Sequence, residues 1–197
     1  MSRCQYVAVG TSPSVIVVRH GETEWSRAGR HTSHTDLALT DVGRAQATAV
    51  GSRLAGYDFA EVWSSPMRRA TETCALAGFG DRASTVADLC EWDYGEFEGL
   101  TTPEIREQAP GWTVFTADTP GGEDAFGVEQ RVDRLVVRIR QAGGLVLCFG
   151  HGHSLRVLTA RWLGLGAVDG HRFVLDPATV SILGYERGEP ALLAWNT

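Results

Sequence analysis

The sequence predicts an α/β protein: a three-layer α/β/α sandwich built on a mostly parallel central sheet. Two uninterrupted apolar runs, Val15-Ile16-Val17-Val18 and Leu145-Val146-Leu147-Cys148-Phe149, have the length of strands buried on both faces. Helical patterns alternate with strand-like segments between them, the order that produces a parallel sheet covered by helices. With 197 residues, 43% hydrophobic and 21% charged, the chain suits one domain with a core of useful size.

The elements follow in order. Residues 1–13 read as a loose tail ahead of the first strand. Thr40 is an N-cap residue, and Val42, Ala45, Ala49, Val50 and Leu54 recur at helical spacing until Gly56. Glu61-Val62-Trp63 is strand-like, and a helix is expected over 69–77, after Pro66. Residues 86–90 read as another strand. Thr101-Thr102-Pro103-Glu104 signals a helix start, with a capping Thr and a Pro in the first turn. Val128, Val132, Leu135, Val136 and Ile139 mark a long amphipathic helix that ends at Gly143-Gly144, and a last helix runs over 155–163 to Gly164. No repeat, low-complexity tract or linker divides the chain, so 1–197 is read as a single domain.

Composition excludes several classes of function. A net charge of −6 argues against a broad nucleic-acid or anionic-membrane surface. No apolar stretch reaches transmembrane length, and no signal-peptide core follows Met1. Cys4, Cys74, Cys90 and Cys148 are scattered, without a CxxC pair, and read as reduced thiols of a cytoplasmic protein. His31 and His34 are three residues apart, but no carboxylate or cysteine stands at metal-site spacing, so a polar loop is expected and no metal site.

The chemistry is concentrated where the two apolar runs end. The first exits into Arg19-His20-Gly21-Glu22-Thr23, which presents a guanidinium fork suited to phosphate oxygens beside an imidazole nucleophile. Alone, this tripeptide start reads equally well as a strand end with a capping Arg and a His in a turn. The second exits into Gly150-His151-Gly152-His153-Ser154-Leu155-Arg156. Two such ends converge if their strands are neighbours in a parallel sheet. Between them lie Ser64-Ser65-Pro66-Met67-Arg68-Arg69-Ala70 and Glu91-Trp92-Asp93-Tyr94-Gly95-Glu96-Phe97-Glu98-Gly99.

In order and spacing these four motifs resemble the histidine phosphatase superfamily, its phosphoglycerate-mutase-like branch, from Val15 to about Tyr185. The resemblance implies the phosphoglycerate-mutase-like fold and a phosphohistidine formed on His20. The other ring nitrogen of His20 then donates to a local acceptor such as a backbone carbonyl. It implies that Arg19 and Arg69 clamp the phosphoryl oxygens. Arg69 stands directly before Ala70, as the family's Ser-x-x-x-Arg-Ala requires, and Arg68 is the alternative. His151 matches the second catalytic histidine and Glu91 the proton donor, with Glu96 and Glu98 as nearby alternatives. Ser26, Thr32, Ser33, Tyr94, Gly152 and His153 are the expected substrate contacts. No cofactor is implied.

Two departures narrow the expected activity. Cofactor-dependent mutases in this family are longer, with a basic insertion after the catalytic Glu and a tail over the site. Here residues 101–127 hold a single basic side chain, Arg106, and no lysine-rich tail precedes Thr197. The wording around Glu91 and His151 looks most like a short subgroup of bacterial acid phosphatases and fungal sedoheptulose-bisphosphatase-like enzymes. A phosphomonoester hydrolase for a small metabolite, a sugar phosphate or bisphosphate, is therefore expected. The alternatives are a phosphoglycerate mutase and, from another class, a non-catalytic phospho-ligand-binding domain. Trp112, Phe115 and Pro120-Gly121-Gly122-Glu123 are read either as a lid over the pocket or as core beneath a long loop. The expected partner is the small phosphorylated substrate, with neither nucleic acid nor membrane; a homodimer is left open.

Overall fold

A computed structural model describes residues 14–197, so the tail expected at 1–13 lies outside the described residues. The elements are β1 (Ser14–Arg19), α1 (Glu24–Arg27), α2 (Asp41–Leu54), β2 (Glu61–Ser64), α3 (Arg68–Leu76), β3 (Ala83–Thr85), α4 (Thr102–Gln108), α5 (Ala125–Gln141), β4 (Leu145–Gly150), α6 (Gly152–Trp162), β5 (Val180–Glu186) and β6 (Glu189–Ala194). The sheet order is β3-β2-β4-β1-β5-β6. Strands β3, β2, β4 and β1 run parallel, and β5 and β6 complete the sheet antiparallel.

The alternation of β1 builds the three layers. Val15 and Val17 point into the core under α5 and α6, with Val128, Val132, Leu135, Leu158 and Trp162. Ile16 and Val18 point the other way, into the core under α2 and α3 with Val50, Leu54 and Cys74. Each of these strand residues is buried on its own face, which is why the run shows no polar alternation. Among the described residues no helix is long and apolar enough to cross a membrane.

Three differences from the sequence reading have physical causes. The strand expected at 86–90 is displaced: the paired segment is Ala83-Ser84-Thr85, which forms the sheet edge against Val62, Trp63 and Ser64. An edge strand of three small residues, two of them polar, leaves no apolar signature, and Val86 and Leu89 supply core contacts from an irregular segment and the short 3-10 turn after it. The final hairpin was unforeseen; it turns at Arg187 and Gly188, both at positive φ, as a two-residue hairpin turn requires. Helix α6 begins at Gly152, immediately after His151, rather than at 155.

A close backbone approach fixes the loop that follows β1. A Cβ on Gly21 would stand 2.4 Å from the carbonyl oxygen of Gly43, and one on Gly43 would stand 2.1 Å from that of Glu22. Thr40 ties the same contact: its hydroxyl donates to a Glu22 carboxylate oxygen at 2.8 Å and accepts from Gly43 N–H at 3.0 Å. Helix propensity alone makes Gly43→Ala stabilising by about 1 kcal/mol. The close approach reverses the sign, and the variant is expected to lose about 2 kcal/mol, measured as a lowered urea midpoint; an unchanged or raised midpoint would contradict this contact.

Candidate active site

Pairing of β1 with β4 sets Arg19 opposite Gly150, and the His20 N–H donates to the Gly150 carbonyl at 3.0 Å. The residues after both strands therefore meet at one end of the sheet, outside the carboxyl ends of its central strands. A pocket of about 190 Å³ opens there, lined by Arg19, His20, Ser26, Thr32, Glu91, Tyr94, Gly152 and His153 among the expected residues.

His20 Nδ1 lies 2.7 Å from the Gly21 carbonyl oxygen. A carbonyl only accepts, so Nδ1 carries the proton and Nε2 keeps its lone pair. Burial, followed by the charges of Arg19 and Arg69, holds the His20 pKa well below the usual histidine value. The ring is thus a neutral nitrogen base. Beside it, Arg19 donates from Nη1 to the Leu175 carbonyl at 2.5 Å, while its Nε is buried without a partner. A buried guanidinium N–H left open at a pocket wall is a donor that suits an anion.

Glu91 stands opposite. A Cβ placed on Gly152 would lie 3.5 Å from Arg19 Cζ and 3.6 Å from Glu91 Oε2, so the glycine leaves cation and carboxylate close together. Glu91 Oε1 accepts from the Trp92 and Ser154 amides at 2.9 and 2.8 Å, and Oε2 accepts from the His153 amide at 3.0 Å. The carboxylate thereby serves the N-terminus of α6, whose N-cap His151 makes no side-chain cap of its own. Glu91 belongs to no strand. It follows the 3-10 turn Ala87–Leu89.

Three expected residues stand behind the pocket wall. His151 is fully buried, its ring 5.2 Å from that of His20. Its Nδ1 accepts from Arg69 Nε at 3.1 Å, so Nε2 bears the proton that goes to Ser65 Oγ at 2.7 Å. Burial and then Arg69 keep its pKa well below the usual value. The Arg69 guanidinium also donates to the carbonyls of Thr35, Thr32 and Ser33. Ser33 turns away from the pocket, its amide and hydroxyl both donating to the Glu98 carboxylate, which also takes the Thr35 amide. One short loop is thus gripped by Arg69 through its carbonyls and by Glu98 through its amides. Arg68 lies outward, its side chain 62% exposed beside Glu72.

The alternatives to Glu91 do not reach the pocket. Glu98 is committed to the loop. Burial raises its pKa, but the hydrogen bonds from Ser33 and Thr35 outweigh burial and leave it lowered. Glu96 is exposed. Ser26 has already given its hydroxyl proton to the Thr23 carbonyl, and Thr32 gives its own to Arg30.

On the far wall, Tyr94 OH lies 2.5 Å from His153 Nδ1. Burial pushes the Tyr94 pKa well above 10 and that of His153 well below 6.5. The phenol is therefore the donor, and the His153 proton sits on Nε2. Sequence reasoning missed Arg30, His31, Arg156 and Leu175 at the pocket. Arg156 was recoverable, since it lies one turn after His153 on α6; the Leu175 carbonyl carried no signal. His31 stacks on His153, with ring centroids 5.7 Å apart. His34 instead meets Asp93 at the surface, 3.1 Å away. Among the described residues no group of three His, Cys, Asp or Glu side chains could hold a metal ion.

No lid of the expected kind covers the pocket. Trp112 and Phe115 are buried, walling an adjoining cleft of about 220 Å³ that shares His31, His153 and Arg156 with the first. Residues 120–123 pack against Asp93 and Glu96 instead, with Glu96 N–H donating to the Pro120 carbonyl and Glu123 N–H to that of Asp93.

A family model described as the histidine phosphatase superfamily, branch 1, matches residues 15–197. An acid phosphatase of Mycobacterium tuberculosis is 42% identical over 178 residues, covering 88% of this chain and 87% of the relative. A sedoheptulose 1,7-bisphosphatase of Saccharomyces cerevisiae is 33% identical over 188 residues, covering 79% of this chain and 69% of the relative. A solved structure of a Mycobacterium tuberculosis open reading frame product superposes with a TM-score of 0.85 at 40% identity, covering 91% of this chain and 94% of that one.

The neutral histidines make stability depend on pH. His20, His151 and His153 hold folded pKa values well below the usual one, so the unfolded chain binds more protons once pH falls below about 6.5. Stability is complete above that value and is lost as pH drops toward the depressed folded values. The lowered pKa of Glu98 adds a further loss as pH falls through the carboxylate range. Urea midpoints are expected to fall steadily from about pH 7 to about pH 5; a flat profile would contradict the neutral assignments.

Proposed function

The chain belongs to the histidine phosphatase superfamily, branch 1, and on that premise we propose that it hydrolyses phosphomonoesters of small metabolites through a phosphoryl group carried on His20. The observation that carries this reading is the Nδ1 hydrogen bond of His20 to Gly21, which leaves Nε2 as the nucleophile beside the unpartnered Nε–H of Arg19.

In the first step His20 Nε2 attacks phosphorus and the P–O ester bond breaks. Glu91 gives its proton to the leaving oxygen. In the second step Glu91, now a carboxylate, takes a proton from water. The water oxygen attacks phosphorus, the N–P bond breaks, and inorganic phosphate leaves. Arg19 neutralises the phosphoryl oxygens throughout. Arg69 holds His151 and the loop at 32–35, and its remaining Nη1–H completes the positive field behind His20. His151, fixed between Arg69 and Ser65, packs against His20 and holds the ring plane. Tyr94 and His153 present a polar wall to the alcohol part of the substrate.

Hydrolysis rather than transfer to a second substrate is supported by residues 101–127, where Arg106 is the single basic side chain. A non-catalytic binding role is disfavoured because nucleophile, acid and cation stand together around one pocket. Arg156 borders both the pocket and the adjoining cleft, its Nε and Nη2 held by the carbonyls of Gly170 and His171. Its charge suits a second anionic group on the substrate, in keeping with the bisphosphatase among the relatives. The reading places the enzyme in the cytoplasm, supported by the free thiols of Cys74, Cys90 and Cys148.

A phosphate-release screen across sugar phosphates and bisphosphates, alongside 3-phosphoglycerate isomerisation, tests the activity. Rapid acid-free quench should trap a base-stable phosphoryl adduct on His20, and His20→Ala should lose about three orders of magnitude or more in rate. An adduct on His151 instead would overturn the assignment.

Glu91→Gln isolates the acid. Its loss is expected to be at least about tenfold larger for a sugar-alcohol phosphate than for single-turnover release of nitrophenol, whose leaving oxygen needs little protonation. Equal losses would remove Glu91 from the acid role.

A further inference from the structure

Arg131 lies on the buried stripe of α5, between Val128 and Leu135, where an apolar side chain is the norm. Its guanidinium has five N–H donors, and each finds an acceptor. Nε and Nη2 meet the two Glu123 carboxylate oxygens at 2.7 and 2.9 Å. Nη1 takes the carbonyls of Asp88 and Cys90 at 3.0 and 2.8 Å. Nη2 also takes the carbonyl of Glu91 at 3.1 Å. The segment so held is a short 3-10 turn and the irregular backbone after it, and without Arg131 these partly buried carbonyls, with the buried one of Glu91, would lose their donor.

Glu123 grips the other side of Glu91. Its Oε2 accepts from the Asp93 amide at 3.0 Å, and its carbonyl accepts from Trp92 Nε1 at 2.9 Å. The preceding glycine is needed for this approach, since a Cβ on Gly122 would stand 2.3 Å from the Asp93 carbonyl oxygen. The backbone is therefore fastened on both sides of Glu91, while the carboxylate itself is aimed by the amides of α6.

We propose that Arg131, buttressed by Glu123, is the positioning residue for Glu91, fixing the backbone from which the carboxylate reaches the leaving oxygen. This rests on Glu91 acting as the proton donor. Neither Arg131 nor Glu123 borders the pocket that holds His20 and Arg19, so the nucleophilic step is set by other elements. A splint for the acid has a signature that a general stabiliser lacks: its removal impairs reactions in proportion to how much the leaving group needs a proton.

The test compares Arg131→Lys and Glu123→Gln with Glu91→Gln in the full-length protein, using a sugar-alcohol phosphate and nitrophenyl phosphate. Arg131→Lys keeps the charge but loses the fork, and Glu123→Gln keeps the shape and removes one charge, which preserves the fold if the first variant does not. Steady-state hydrolysis of the sugar-alcohol phosphate is expected to fall about tenfold or more. Single-turnover release of nitrophenol, and the His20 adduct it forms, should stay within about threefold of the parent. The double variant Glu91→Gln/Glu123→Gln should show no leaving-group penalty beyond that of Glu91→Gln, since both act on one proton. If Glu91→Gln discriminates between the substrates while both splint variants lose activity equally on them, or lose none, the positioning role is overturned and the acid assignment stands. If Glu91→Gln itself does not discriminate, the acid assignment fails and the positioning role falls with it.

Discussion

The parallel register of β1 on β4 is the constraint on which the site depends. Pairing Arg19 with Gly150 delivers His20 and His151 to the same level of the sheet, and the His20 amide closes the pairing on Gly150. A slip of one residue would send one histidine to the opposite face. Register is secured because both strands are buried on both faces, so a slip would also exchange the residues of the two cores. Catalytic geometry and core packing are therefore enforced by the same apolar side chains. The Gly21–Gly43 contact then directs the chain after His20 back over α2, which allows no side chain between them.

The electrostatics of the site follow from how its arginines are held. The chain is acidic, at −6, yet the pocket region gathers Arg19, Arg69 and Arg156. Each is anchored by backbone carbonyls: Leu175 for Arg19, Thr32, Ser33 and Thr35 for Arg69, Gly170 and His171 for Arg156. Carbonyl dipoles anchor these guanidinium groups without supplying a full counter-charge, so the positive field stays available to a phosphoryl group. Burial, with the charges of Arg19 and Arg69, keeps His20 neutral. Arg131 is the contrast. It faces away from the pocket and is paired with a carboxylate, Glu123.

What could be read from the sequence divides along physical lines. The two fully buried strands and the long helix were legible because burial imposes a pattern on consecutive residues. Strand β3 was not, because Ala83, Ser84 and Thr85 sit at an exposed edge where pairing alone defines them. The side chains at the pocket were legible where motifs carried them, as for Arg19, His20, Glu91 and His153. They were illegible where the partner is a backbone atom from a remote segment: nothing local marks Leu175 as the anchor of Arg19, or the carbonyls of Thr32 and Ser33 as partners of Arg69. Arg131 left a trace that went unread, an arginine at an apolar position of an amphipathic helix. Such a residue must find several acceptors to be buried at all, and here it finds them around Glu91.

Glu91 joins these themes, since it is both a chemical group and a structural one. Its two oxygens accept the His153 and Ser154 amides of the first turn of α6 and the Trp92 amide, so the carboxylate serves a helix end that His151 does not cap. Amides only donate, and a proton on the carboxyl group must therefore occupy a lone pair they leave open. Oε2, which holds a single amide and lies toward Gly152 and Arg19, is the oxygen with that room. Helix α6 also carries His153 and Arg156. The helix thus aims the Glu91 carboxylate and also carries two side chains that line the pocket. The Glu91 backbone is fastened separately, to Arg131 on helix α5, so the residue is held from two helices, its carboxylate by one and its main chain by the other.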